Sequence, residues 1–290
     1  MKRLNLLLLS IFLLGVSAQA KPVVSHKANG SAPLFVGYWG GYFNMSYSLP
    51  LDATPSYVDV VTLAFGCPME DTLTLKFLCS QYTEEEVLAA VKKLQANGQK
   101  VIMSLIDTPS TNWNQIDLVT FAQSVKNIVI DEWGLYGVDI DAESSMDPTD
   151  YVPAFIELAA EIRKAIGPDK ILTCTCYKGN ADDQTILAAT AQYFDGLNLM
   201  AYFYNKDEMI ALFNTYAQWF DPSRITVGVK AGVTPLDEVA SLAKWQPQSG
   251  SKGGMMLWTL SEDNPVVTGQ PDQTWTKKIE ANLRFNTTNR

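Results

Sequence analysis

The 290-residue chain has one histidine, His26. It lies in the polar stretch "KPVVSHKANGSAP", ahead of the first segment patterned for folding. Neither a Ser-His-Asp or Cys-His nucleophile system nor a multi-histidine metal site can therefore be assembled. Acid and base work falls to carboxylates, tyrosines or lysines. Positive charge is also scarce: 22 Lys and Arg stand against 31 Asp and Glu, for a net charge of −9 and a pI near 4.7. Nucleic acid and anionic membranes both require a positive surface, so a neutral partner is expected. Cysteine is limited to four residues. Cys67 and Cys79 flank "CPMEDTLTLKFLC", where a small disulfide loop and two free thiols both remain open. Cys174 and Cys176 are two apart on a strand-like run and share a face. They read as buried thiols, because zinc would need further ligands that the sequence does not offer. No metal or cofactor is expected. Long apolar runs are confined to "LLLLSIFLLGV", which follows Lys2 and Arg3 and precedes Ala18-Gln19-Ala20. That pattern predicts an export signal over residues 1–20 and a flexible leader over 21–33. No later segment has the roughly 18 apolar residues of a spanning helix. The expected product is a soluble, secreted or periplasmic protein.

What remains, residues 34–290, alternates β-rich and amphipathic runs in regular order. Strands are predicted at "LFVGYWG" from Leu34, "YVDVVTLAFG" from Tyr57, "KVIMSLI" from Lys100, "LYGVDIDAE" from Leu135, "KILTCTCY" from Lys170, "GLNLMAYF" from Gly196, "RITVGVKAG" from Arg224 and "GGMMLWTL" from Gly253. Helical patterns lie between them. "TEEEVLAAVKKLQANG" carries Thr83 as N-cap, Glu86 three residues on, and Asn97-Gly98 as its stop. "DYVPAFIELAAEIRKAIG" stops at Gly167 before Pro168. Such alternation implies parallel strands with right-handed crossovers. An open doubly wound sheet usually places a glycine-rich phosphate loop after its first strand, and "GYWGGYF" lacks that spacing. The predicted fold is α/β, a single (β/α)8 TIM barrel, and no linker or repeat divides it.

The fourth predicted strand holds three acids at alternate positions: Asp139, Asp141 and Glu143. On a strand these share one face, opposite Val138, Ile140 and Ala142. If the apolar set packs on the outer helices, the acids face the barrel axis, with Glu143 at the C-terminal mouth where barrel enzymes keep their chemistry. Crowded carboxylates hold protons to higher pH, so Asp141 can help keep Glu143 protonated as a general acid. A calcium loop also uses alternate acids. Its sixth position should be Gly and is Ser144, and its twelfth should be Glu and is Asp150.

Tyr136-Gly137-Val138-Asp139-Ile140-Asp141-Ala142-Glu143 resembles the D-G-x-D-x-D-x-E signature of glycoside hydrolase family 18, the chitinases and endo-β-N-acetylglucosaminidases, at every position but the first. Met200 and Tyr202 are similar to the family's sixth-strand M-x-Y, Gly253-Gly254-Met255-Met256-Leu257-Trp258 to its G-G-x-M-x-W, and Ala64-Phe65 to its second-strand A-F. The resemblance implies substrate-assisted, retaining hydrolysis, in which the sugar's 2-acetamido group replaces the second carboxylate of ordinary retaining enzymes. It makes Glu143 the acid/base, Asp141 the partner of the acetamide N–H, Asp139 a group tuning Asp141, and Tyr202 a donor to the acetamide carbonyl. Trp258 becomes the apolar floor, with Met200, Tyr38, Trp39 and Ser104 as further sugar-binding residues and Tyr42 and Trp113 as extensions of the cleft.

Three positions depart from the pattern. Tyr136 replaces the first Asp, Ser104-Leu105-Ile106-Asp107 replaces S-x-G-G, and Phe203 stands where Asp or Asn usually follows the Tyr. The expected activity is cleavage of β-1,4 links at N-acetylglucosamine in chitin or its oligomers by a monomeric enzyme. The chitobiose core of N-linked glycans is the alternative substrate, and non-catalytic sugar binding the alternative function.

Overall fold

The computed structural model describes residues 32–144 and 146–284. The expected signal, His26 and nearly all of the leader lie outside the described residues. Eight parallel strands close a barrel in the order β1 (Leu34–Gly40), β2 (Val60–Met69), β4 (Lys100–Leu105), β5 (Gly137–Asp141), β6 (Ile171–Cys176), β7 (Gly196–Leu199), β8 (Ile225–Lys230) and β9 (Gly254–Trp258). β9 pairs with β1 through Leu34↔Gly254, and β1 with β2 through Val36↔Val60, which joins the two edges. A short strand, β3 (Thr72–Thr74), folds back antiparallel on the end of β2 and lies outside the barrel. Helices α1 (Glu84–Ala96), α2 (Leu118–Val125), α3 (Pro148–Ile166), α4 (Ala181–Thr190), α5 (Lys206–Tyr216), α6 (Leu236–Lys244), α7 (Pro265–Thr268) and α8 (Thr274–Leu283) accompany the strands. Among the described residues, no helix is long and apolar enough to cross a membrane.

Local chemistry sets the element ends. The Thr83 side chain accepts from the Glu86 amide while the Glu86 side chain accepts from the Thr83 amide, which satisfies two of the unpaired donors at the start of α1. The chain leaves that helix through Gly98 at φ +87°, a conformation that suits glycine. α3 stops at Gly167, φ +81°, with Pro168 beyond.

Most strands after β1 end a few residues from expectation, and three of these differences bear on the site. β2 begins at Val60, three residues after Tyr57, and runs on to Met69, because its far end pairs with β3. β5 closes at Asp141, although Ala142 N–H still donates to Thr175 O (2.9 Å). β7 ends at Leu199, where Met200 turns the chain into a 3-10 segment, Ala201–Phe203. The choice left open at Cys67 and Cys79 is also decided. Cys67 and Cys79 are both free thiols, with burial raising their pKa values to about 12 and about 11.

The barrel interior is unusually polar. Thr62, Ser104, Asp139, Thr175, Asn198 and Thr226 are all buried, while Val138 and Ile140 face the helices. Cys174 and Cys176 are likewise buried, with sulfurs 3.4 Å apart.

Candidate active site

Strand register brings the polar interior residues to one level. Asp139 sits beside Ser104 of β4 and Thr173 of β6, and Asp141 beside Thr175. The Asp139 carboxylate accepts from Ser104 Oγ (2.7 Å), Thr173 Oγ1 (2.5 Å), Thr175 Oγ1 (2.9 Å) and Tyr38 Oη (3.0 Å), with Asn198 Nδ2 at 3.5 Å. Five donors from four strands thus fill both oxygens of a carboxyl group with no access to solvent. That is the condition under which a buried polar group is tolerated.

Asp141, one pleat higher, is almost as buried but poorly supplied. Its Oδ1 has no hydrogen-bond partner, and burial pushes its pKa well above the ordinary carboxylate value, with further upward pressure from Glu143, Asp139 and Asp107. Asp141 therefore holds a proton where a free aspartate would not. Glu143 stands just past the end of β5. It keeps solvent contact at the barrel mouth, yet the walls around it desolvate it enough to raise its pKa, against the opposing pull of Lys178 and Lys230.

Above these acids opens a cleft of about 250 Å³, into which Asp141 and Glu143 both face. Trp258 and Phe65 form one wall, their rings stacked 5.8 Å apart, and Tyr42 continues it outward to Phe77 (4.5 Å). Tyr202, Met200 and Phe203 line the opposite side, and Phe203 is 57% exposed. Tyr38 closes the bottom, reaching both the cleft and Asp139. Burial raises the pKa of Tyr202 well above its usual value, with Asp141 and Glu143 adding to the effect, so its hydroxyl remains a donor at any ordinary pH.

The structure gathers Asp141, Glu143, Tyr38, Met200, Tyr202 and Trp258 around one cavity, with Asp139 directly beneath. Three expected sugar contacts are not there. Trp39 is 1% exposed on the outer side of β1, packed against Tyr82 and donating to Leu49 O, because strand alternation sends it away from its neighbour Tyr38. Ser104 is buried against Asp139, so it serves the acid below the cleft. Trp113 is wholly buried against Phe121. The motif reading missed Thr173, Thr175, Asn198 and Lys230. The first two were detectable: if Cys174 and Cys176 face the helices, the alternating threonines must face the acids. Among the described residues, no cluster of three or more His, Cys, Asp or Glu side chains could hold a metal ion.

Residues 44–232 match the model of the endo-beta-N-acetylglucosaminidase EndoS TIM-barrel domain. Endo-beta-N-acetylglucosaminidase F2 of Elizabethkingia meningoseptica is 24% identical over 259 residues, covering 78% of this chain and 77% of that protein. Chitinase D of Niallia circulans is 32% identical over 129 residues, 42% of this chain and only 24% of its own length. Among solved structures, a GH18 chitinase from Pseudoalteromonas aurantia superposes with a TM-score of 0.68 at 22% identity, covering 86% of this chain and all of that one. An endo-beta-N-acetylglucosaminidase from Cordyceps militaris gives 0.62 at 20% identity over 88% of this chain and 92% of that one.

Proposed function

The chain belongs to the EndoS TIM-barrel family, within the glycoside hydrolase family 18 group of chitinases and endo-β-N-acetylglucosaminidases, and on that premise we propose that it hydrolyses the β-1,4 link between two N-acetylglucosamine units. One observation carries the mechanism. Among the described residues, the only carboxyl groups lining the cleft, Asp141 and Glu143, rise from the same strand end, and the side bearing Tyr202, Met200 and Phe203 carries none. A retaining enzyme with two carboxylates needs them on opposite sides of the scissile bond, about 5 Å apart. Here the nucleophile has to come from the substrate.

In the proposed reaction Glu143 protonates the glycosidic oxygen as the bond to the anomeric carbon breaks. The 2-acetamido oxygen closes onto that carbon from the other face, giving an oxazolinium ion. Asp141 accepts the acetamide N–H through its unpartnered oxygen, Oδ1. Tyr202 donates to the acetamide oxygen, and Trp258 lies under the sugar ring. Glu143 then takes a proton from the water that opens the ring, which restores the acid.

For the substrate we favour the chitobiose core of N-linked glycans. The support is the EndoS-type family and the F2 enzyme, whose similarity runs through most of both chains, whereas the resemblance to Chitinase D covers a quarter of that protein. The link from β8 to α6 is also short, running only from Ala231 to Pro235, so nothing there walls the cleft into a tunnel for a long polymer. Chitin oligomers are the second reading, favoured by the chitinases among the relatives. Incubation with a high-mannose glycoprotein and, separately, with a chitohexaose tests both. Mass spectrometry should find a single N-acetylglucosamine left on asparagine. Cleavage of the oligomer alone would select chitin, and intact substrates in both arms would refute the glycosidase. Export of the chain with loss of residues 1–20 is proposed from the leading apolar run, and N-terminal sequencing of the secreted protein tests it.

A further inference from the structure

Where the family pattern has two glycines after its third barrel strand, this chain has Ile106 and Asp107. The Asp107 carboxyl group is 8% exposed and faces the segment that follows the catalytic strand. Ser144 Oγ donates to Asp107 Oδ2 (2.8 Å), and the same serine oxygen accepts from Met146 N–H (3.1 Å). Ser144 directly follows Glu143, so this contact ties down the residue next to the acid. Asp107 is itself held from behind. The Trp113 amide donates to it, and Asn112 donates to Oδ2 (3.3 Å) in the amide orientation its neighbours require. The Thr108–Thr111 bridge closes the turn between them.

We propose that Asp107 is a positioning residue for the acid pair, fixing Glu143 through Ser144 and adding a negative charge near Asp141. The inference rests on the reading of Glu143 as the acid. The charges around the pair come from every side of the mouth. Asp107 faces Asp141 from the end of β4, and Asp139 lies below it on β5; Cys67 of β2 and Tyr151 of α3 adjoin Asp107. Lys178 after β6 and Lys230 at the end of β8 pull on Glu143, while Tyr38, Tyr42 and Tyr202 stand around both acids as neutral phenols. Glu262, after β9, faces Lys230 and Tyr42, and Asp107 is the acid outside β5 that acts on Asp141. Its own pKa is raised by burial to about 6, so above that pH it carries the charge the role needs.

Two substitutions separate the two parts of the role. Asp107→Asn keeps an acceptor for Ser144 and removes the charge. Ser144→Ala keeps the charge and releases the segment. In Asp107→Asn the alkaline limb of the kcat profile should move to lower pH, and the Asp141 carboxyl resonance in a carbon NMR titration should titrate at lower pH than in the unsubstituted protein. In Ser144→Ala kcat should fall about tenfold with KM within about twofold and the limb unmoved, since misplacing a catalytic group costs rate more than binding. An Asp141 titration unchanged by Asp107→Asn overturns the electrostatic part, and wild-type kcat in Ser144→Ala overturns the clamp. The NMR titration needs no turnover, so a protein that cleaves neither glycan would defeat the proposed function while still deciding this one. If Asp107→Asn fails to fold, Ser144→Ala alone still decides the clamp.

Discussion

Among single residues, the two neighbouring acids differ in surroundings far more than in position. Asp139 is surrounded by donors and Asp141 is nearly without them, although both are buried. The same side chain is a filled acceptor at one level and a proton holder at the next. Glu143 combines solvent access with a raised pKa, which a residue that must exchange protons with both sugar and water requires. Glu143→Gln should keep the fold and lose glycan cleavage by about 10³-fold, measured as product release under saturating substrate. Tyr202→Phe removes one donor to the acetamide oxygen and should lower kcat by about 10²-fold. Trp258→Ala should instead raise KM more than it lowers kcat, because the ring floor contacts the sugar in ground and transition states alike. If the three variants show the same kinetic signature, the separate roles assigned to them are wrong.

Among the elements, the barrel and the acid column were legible because period-2 alternation fixes which face a strand residue occupies. The parity argument put Asp139, Asp141 and Glu143 on the axis, and the register with Ser104, Thr173 and Thr175 agrees. Parity also exposes the errors. Tyr38 and Trp39 are adjacent, so only one can face the cleft, and taking both was inconsistent with a strand. Tyr202 reaches the cleft for a different reason: β7 stops at Leu199, and a 3-10 turn lifts the tyrosine over the mouth. Turns of this kind depend on tertiary pairing and leave no periodic trace. The Asp107–Ser144 contact is equally hidden, since it joins two loops 37 residues apart in the chain. The threonine pair on β6 gives a prediction at this scale. Thr173→Val removes one short donor to Asp139 and leaves a buried carboxylate short of a partner, at a cost of about 1–3 kcal/mol in urea unfolding. A stability loss below about 0.5 kcal/mol would show that the remaining four donors suffice.

Over the whole molecule, the acid site sets a stability that depends on pH. A carboxyl group whose pKa is higher in the folded chain than in the unfolded one binds protons more tightly when folded. Its contribution is fully present below the unfolded value and is lost as pH rises through the folded value. For Asp107 that window runs from about 4 to about 6, and at 1.36 kcal/mol per pH unit the difference amounts to about 3 kcal/mol. Asp141 and Glu143, also raised, act in the same direction. The net charge of −9 adds self-repulsion that grows as further carboxylates ionise. Thermal unfolding followed from pH 5 to pH 8 should therefore show Tm falling across the range. Asp107→Asn should flatten the fall and be the more stable protein at pH 8, although its acid pair is worse poised. A wild-type Tm that rises from pH 5 to pH 8 would mean that the donors to Asp107 outweigh its burial, and that its carboxyl group ionises at no cost to folding.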